Sequence, residues 1–324
     1  MSNIDRKTTI FAPQEIADLS LQEIRRREET KDAGVSLGIP HIDAKMPALR
    51  PGQLAVIAGR PSHYKSGLAQ FWARKTAKEC MDVQDEAVVY VTWEMAIEEL
   101  GIYDLAVAGA LDATSIANGE VSKDDWVTLK NAAMKRSAIP LWYIGHSLFR
   151  RKQRERLSMK HVSEAMYWLD DQQGFKCRLL VLDYLNRIRP EPGHRQDRRI
   201  EIDEIMDTAK DMALFLGCPV IMLAQSLRRA EDRDWKLPTK NDLKESGGIE
   251  ECADKILTVW FPKVDYAIGS IIEGPDGTEL TVTEDLWILG LVKQKDGPGG
   301  GYFVMSVDPA RNSIVPWDSR TVID

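Results

Sequence analysis

Four short apolar runs, each closed by a polar or glycine residue and separated from the next by a helix-length stretch, constrain this chain more than any other feature. They are LAVIA at 54–58, AVVYVTW at 87–93, RLLVL at 178–182 and VIMLA at 220–224, and Gly59, Glu94, Asp183 and Gln225 follow them. Runs with no apolar–polar alternation belong to strands covered on both faces. The residues between them read as helical over 67–80, 95–135, 161–173 and 200–216, with Asp112 a plausible cap, and Leu141 to Ile144 reads as one further short strand. Strands joined by helices predict an α/β fold with a mostly parallel sheet flanked by helices on both faces. The last third reads differently: strands at 256–261, 266–273, 279–283, 286–293, 302–307 and 313–315, with Gly274-Pro275-Asp276-Gly277 as a hairpin turn, predict antiparallel β-hairpins at the C-terminus.

Residues 1–33 read as an arm whose Ile16, Leu19, Leu21 and Ile24 fall roughly on one helical face, and residues 34–324 as one domain. Either the arm docks on a neighbour or it is a frayed terminus. The chain of 324 residues is long enough for a core that needs no staple. Its four cysteines stand far apart with no CxxC, which excludes a zinc ribbon and points to a reducing compartment. No apolar stretch approaches the ~18 residues of a membrane span, and MSNIDRKTTIFAPQE has no apolar signal core, so a cytoplasmic protein is expected. A net charge of −7 leaves nucleic-acid contact to local basic loops.

The segment Gly59-Arg60-Pro61-Ser62-His63-Tyr64-Lys65-Ser66 lies between a buried run and a helix, where a phosphate-binding loop sits. Its backbone N–H groups and the helix N-terminus would hold phosphates, Lys65 would reach the β- and γ-phosphates, and the Ser66 hydroxyl would join a Mg²⁺ ion. Tyr64 occupies the position of the second glycine in GxxxxGK[ST], where an unusual backbone angle is needed, so the loop is either strained or built differently. A chance strand–turn–helix would also look like this. Against chance, Asp183 is placed to hold Mg²⁺ from a neighbouring strand end, Glu94 to act as general base toward water, and Gln225 to sense the γ-phosphate. Ligands of open α/β sheets bind at this carboxyl edge. His63 is expected to be an exposed loop residue.

From about Val35 to Trp317 the chain resembles the C-terminal, RecA-like motor domain of the DnaB replicative helicase family. The resemblance rests on GIPHIDAKMPALRPGQLAVIAGRPS, VTWEM, LLVLDYLNRI, PVIMLAQSLRR, DLKESGGIEECADKI and LVKQKDGPGG, in that order. It implies a RecA-like P-loop NTPase core that uses ATP and Mg²⁺, with Lys65 and Ser66 on phosphate and metal, Asp183 on the metal's water shell, Glu94 activating water and Gln225 coupling the γ-phosphate to the next loop. It also implies that Lys293 and Lys295 reach the nucleotide of an adjacent subunit, Lys295 standing for the family's arginine finger without its bidentate fork. A finger acting in trans requires a ring, here a homohexamer.

Single-stranded DNA would then pass through the centre. Candidates to contact it are Arg228, Arg229, Lys240, Lys244, Glu245 and Gly247, with Arg233, Lys236 and Trp235 among them, Trp235 able to stack on a base. Interleaved acids leave a solvated loop as the alternative. The basic run from Arg150 to Arg156 reads as an exposed face rather than a second binding surface. The family's N-terminal collar is not recognisable in the residues before the motor. A phage, plasmid or other mobile-element protein, served by a loader or other replication proteins, is therefore expected. Three functions remain open at this stage: a ring translocating 5′ to 3′ on single-stranded DNA, a RecA-fold ATPase whose hydrolysis switches assembly in recombination, loading or defence, and a catalytically weakened ring. Tyr64 and Lys295 favour the last, and the retained Glu94, Asp183 and Gln225 oppose it.

Overall fold

The computed structural model describes residues 11–30, 34–150, 157–188, 197–243 and 247–317, and divides the chain into two units, 1–34 and 35–324. Among the described residues of the first unit, helix α1 (Pro13–Thr30) carries Glu23 paired with Arg26 and Arg27 at 2.8 Å each, one turn away. Its Ile16, Leu19, Leu21 and Ile24 are all exposed within that unit.

The second unit runs, in chain order, α2 (Pro40–Asp43), β1 (Leu54–Gly59), α3 (Lys65–Glu79), β2 (Glu86–Thr92), α4 (Ile97–Gly109), α5 (Ala113–Ala117), α6 (Lys123–Ser137), β3 (Leu141–Ile144), α7 (Met159–Gln173), β4 (Lys176–Asp183), α8 (Arg198–Phe215), β5 (Val220–Gln225), α9 (Gly247–Cys252), β6 (Lys255–Trp260), β7 (Ile271–Glu273), β8 (Glu279–Thr281), β9 (Leu286–Gln294), β10 (Tyr302–Asp308) and β11 (Ser313–Pro316). Nine strands form one sheet in the order β11-β10-β9-β6-β1-β5-β4-β2-β3. The strands from β6 to β3 are parallel, and β9, β10 and β11 extend the sheet antiparallel at the other side. Mixed topology of this kind follows from the connections, since helices can return the chain for parallel pairing whereas short turns can only reverse it.

The four apolar runs become β1, β2, β4 and β5, buried on both faces almost throughout. One face packs against α3 through Leu68, Trp72 and Ala73, and the other against α7 and α8 through Val162, Met166, Ile205 and Met206. A third cluster gathers Trp260, Ile288, Leu237 and Val282 around the β7–β8 hairpin, whose turn is the Gly274–Gly277 segment, closed by Gly277 N–H on the Gly274 carbonyl at 3.0 Å.

The structure redraws three sequence expectations. The helical stretch 95–135 divides into three helices: α5 starts at the expected cap Asp112, which accepts from Ser115 N–H at 2.9 Å, and a further break puts α6 after Ser122, which accepts from Asp125 N–H at 3.1 Å. The strand expected over 266–273 shortens to β7, because Tyr266 N–H bonds back to the Pro262 carbonyl at 2.9 Å and turns the chain first. The first strand of the final third, β6, pairs parallel with β1 and belongs to the central sheet; its apolar run carries no sign of direction.

Candidate functional site

Strand register brings the polar strand ends together. Gly59 pairs with Gln225 and Thr92 with Asp183, so the loop after β1, Glu94 after β2, Asp183 ending β4 and Gln225 ending β5 leave the sheet along one edge. Together Pro61, Ser62, Tyr64, Lys65, Ser66 and Gly67 line a cleft of about 450 Å³ with Glu94, Asp183 and Gln225. Gly59 is required where the loop departs, since a Cβ there would lie 2.6 Å from Val259 Cγ2 and 2.9 Å from the Val259 carbonyl oxygen. Beyond it the backbone is left-handed at Ser62 (φ 67°) and at Tyr64 (φ 70°), and α3 begins directly at Lys65. A tyrosine thus takes a left-handed angle where glycine is the easy choice, and Lys65, Ser66 and Gly67 of the first turn of the 15-residue α3 line the cleft.

Lys65 donates to the Arg60 carbonyl at 2.8 Å. Burial lowers its pKa to about 8, with nearby Arg60 adding to the effect and Asp183 and Glu94 opposing it. Asp183 is buried; its Oδ2 accepts from the Tyr90 hydroxyl at 2.6 Å, while its Oδ1 has no hydrogen-bond partner. Burial pushes the Asp183 carboxyl up, against the Tyr90 and Ser66 hydroxyls that favour its charge. Glu94 is exposed at the rim, its N–H held by Thr92 Oγ1 at 3.2 Å. Gln225 is fixed through its backbone, N–H to Asn186 Oδ1 at 3.2 Å. A buried carboxylate oxygen without a partner, beside a hydroxyl and an ammonium, suits a hard divalent cation bridged to phosphate.

Two residues of the loop do not face the cleft. Arg60 is ion-paired with Glu231. His63 corrects its expected exposure: it is 4% exposed, its Nδ1 accepts from Phe261 N–H at 2.9 Å, and its carbonyl accepts from Trp287 Nε1 at 3.1 Å. His63 pins the loop to the sheet beneath, and burial lowers its pKa to about 4, so its ring is neutral at physiological pH. Conversely, Gln70, Met95, Tyr103 and Tyr184 line the cleft without having been singled out in the sequence. Gln70, one helical turn beyond Ser66, was readable from helical spacing; nothing local marks Tyr103.

Lys293 and Lys295 sit at the other end of the sheet. Gln294 pairs with Lys255 and Lys255 with Ala55, near the start of β1, whereas the phosphate loop leaves from its end. Lys293 Nζ donates to the Glu250 and Ala253 carbonyls, the latter at 2.8 Å, and Lys295 Nζ lies 2.9 Å from Asp254 Oδ1 with its side chain 51% exposed. Asp254 also accepts from Lys210 Nζ at 2.7 Å and from Leu54 N–H at 2.8 Å.

Of the nucleic-acid candidates, Arg228 and Arg229 are exposed on a short 3₁₀ turn (Arg228–Asp232) just beyond Gln225, with no ion pair among the described residues. Lys240 is paired with Glu250 at 2.9 Å, Arg233 with Asp242 at 2.6 Å, and Lys236 donates to the Glu231 carbonyl at 2.8 Å. Gly247 begins α9; Lys244 and Glu245 lie outside the described residues, as do Arg151 to Arg156, while Arg150 is exposed. Trp235 corrects the expectation of a free stacking platform: its ring packs on Trp260 and Tyr302 with centroids 5.0 Å away in each case. A half-buried aromatic in a cluster of this kind contributes to packing.

Residues 34–302 match the DnaB-like helicase C terminal domain. The replicative DNA helicase DnaB of Pasteurella multocida is 30% identical over 283 residues, covering 83% of this chain and 58% of that protein. The replicative DNA helicase DnaC of Bacillus subtilis is 26% identical over 321 residues, covering 93% of this chain and 61% of that protein. The chain thus spans about three fifths of the length of these curated relatives. Among solved structures, the ATPase domain of G40P superposes with TM-score 0.75 at 22% identity, covering 93% of this chain and 98% of its own. A DnaB-like replicative helicase, solved with attention to its primase interactions, gives TM-score 0.73 at 22% identity over 93% of this chain and 67% of its own. The chain therefore has a RecA-like helicase ATPase fold and belongs to the family of DnaB-like helicase C-terminal domains.

Proposed function

We propose that this chain is an ATP-driven motor on single-stranded DNA, working 5′ to 3′ as a cytoplasmic ring of six copies with nucleotide held between neighbours. The observation that carries the proposal is the meeting of Lys65, Ser66, Glu94, Asp183 and Gln225 in one cleft, drawn from four strand ends. ATP would lie with its phosphates over the loop 59–66 and the N-terminus of α3. Lys65 would be charged against the γ-phosphate, whose negative charge raises the lysine's pKa again. Ser66 and Asp183 Oδ1 would hold magnesium, directly or through water, which supplies charge neutralisation at the β- and γ-phosphate oxygens. Glu94 takes the proton from the attacking water as its oxygen bonds to the γ-phosphorus and the bond to the β–γ bridging oxygen breaks, giving ADP and phosphate. Gln225 senses the γ-phosphate and leads straight into the turn that carries Arg228 and Arg229, which contact the DNA backbone together with Lys240 and Lys244, while Glu245 and Gly247 belong to the same DNA-facing loop as Lys244.

Lys293 and Lys295 stand too far along the sheet to serve their own cleft and are proposed to reach the nucleotide of the adjacent copy. The exposed apolar side of α1 is proposed to pack on a neighbouring copy. Hydrolysis assays with and without single-stranded DNA, mass measurement by light scattering, and unwinding of forked duplexes with either polarity test the reading. DNA-stimulated turnover by a hexamer that opens forks 5′ to 3′ supports it. Turnover that alters assembly without opening forks would favour a switch ATPase.

A further inference from the structure

Tyr64 holds a left-handed backbone angle that is costly for any side chain, and the surroundings over-determine it (φ 70°). Its ring stands edge-on to Trp287 and Phe261, with centroids 6.1 Å and 6.5 Å away. Its hydroxyl accepts from Asn312 Nδ2 at 2.8 Å, and the same amide reaches the Gly67 carbonyl at 2.8 Å. The ring takes the space beside Gly67: a Cβ there would be 2.2 Å from Tyr64 Cε2 and 2.4 Å from Cζ. A missing side chain at 67 therefore makes room for the side chain gained at 64.

Asn312 is no surface accident. It is 6% exposed, sits in the turn between β10 and β11, is itself left-handed (φ 48°), and its Oδ1 accepts from Arg74. Arg74 reaches Asp104 Oδ1 at 2.6 Å, and Asp104 Oδ2 accepts from Arg136 at 2.7 Å and from the Tyr143 hydroxyl at 2.6 Å. The neighbouring Tyr103, on the cleft wall, donates to the Pro309 carbonyl of the same turn at 2.5 Å. The C-terminal hairpin is in this way fastened to the start of α3 and to the helices beyond it.

From these contacts we infer that Tyr64, Gly67 and Asn312 form a strap by which the C-terminal hairpin holds the phosphate loop in its anion-binding shape before nucleotide arrives. The inference deepens the nucleotide reading of the cleft and rests on it. Tyr64 and Asn312 are positioning residues: they act through the backbone at 62–66. Glycine at 64 would reach the same angle, but among many others, so restoring the usual motif glycine loosens this loop.

The test is binding of a fluorescent ATP analogue and steady-state hydrolysis for wild type, Tyr64→Gly, Tyr64→Phe, Asn312→Ala, Gly67→Ala and Tyr64→Gly/Gly67→Ala, each checked for a cooperative melt. Tyr64→Gly is expected to weaken binding about tenfold, the equivalent of about 1.4 kcal/mol, with the loss falling on KM more than on kcat. Tyr64→Phe and Asn312→Ala should show part of that loss, and Tyr64→Gly should rescue the more severely impaired Gly67→Ala. A folded Tyr64→Gly that binds nucleotide as tightly as wild type or more so overturns the strap, as does additivity of the two changes in the double variant. Absence of nucleotide binding by wild type instead overturns the reading of the cleft itself.

Discussion

Replacing Lys65 by methionine should stabilise the nucleotide-free protein while removing its affinity for nucleotide. The ammonium is largely buried with one hydrogen bond, to the Arg60 carbonyl at 2.8 Å. Burial lowers its pKa from the ordinary 10.5 to about 8, equivalent to about 3 kcal/mol of disfavoured charge at neutral pH. Methionine has similar length and no charge; it forfeits the bond to Arg60, worth about 1 kcal/mol, so the net gain should be about 2 kcal/mol. The pH dependence has a definite sign. Below about pH 8 the lysine is charged in both folded and unfolded chains and the whole cost falls on the fold. Between there and its unfolded value the unfolded chain binds the extra proton, so wild-type stability rises with pH and the advantage of methionine fades. Urea unfolding of both proteins without nucleotide, at pH 7 and again near the upper end of that window, reads the effect. A Lys65→Met variant no more stable than wild type at pH 7, or an advantage that grows with pH, would refute the reasoning.

Other expectations follow from the same geometry. Asp104→Asn removes the buried anion that pairs with both Arg74 and Arg136, and should cost about 3–5 kcal/mol in chemical unfolding. Asp183→Asn should lose magnesium-dependent nucleotide binding yet leave the nucleotide-free melting temperature unchanged or raised, because burial already disfavours that carboxylate's charge. Glu231→Ala frees Arg60 of the phosphate loop, its ion-pair partner; it should tighten nucleotide binding at low salt, with the difference from wild type shrinking as salt rises in a titration.

The strands and the place of the loop 59–66 between β1 and α3 are legible because each is written in consecutive residues: an unbroken apolar run, then the polar group or glycine that ends it. Glu94, Asp183 and Gln225 could be placed on one edge before any register was known, since parallel strands all end on the same side. The direction of β6 was not legible, for burial on both faces looks alike whether a strand runs up or down. The burial of His63 and the packing around Tyr64, whose strained backbone is expected from its position in the loop, are hidden for a different reason. Their partners, Phe261, Trp287 and Asn312, lie about two hundred residues or more away in the chain, and no local pattern announces a contact closed by the last hairpin. Trp235 reads as a stacking platform because its sequence neighbours are basic, whereas the rings it packs on, Trp260 and Tyr302, come from distant strands.

The central claim is that the cleft at the carboxyl edge of the sheet hydrolyses ATP to drive movement on DNA. It is tested most directly by ATP hydrolysis with and without single-stranded DNA, comparing wild type with Lys65→Ala and Glu94→Gln. The account predicts turnover stimulated by DNA in wild type and lost in both variants, with Glu94→Gln still binding nucleotide. No turnover in wild type with or without DNA, or turnover that survives in Glu94→Gln, would contradict it.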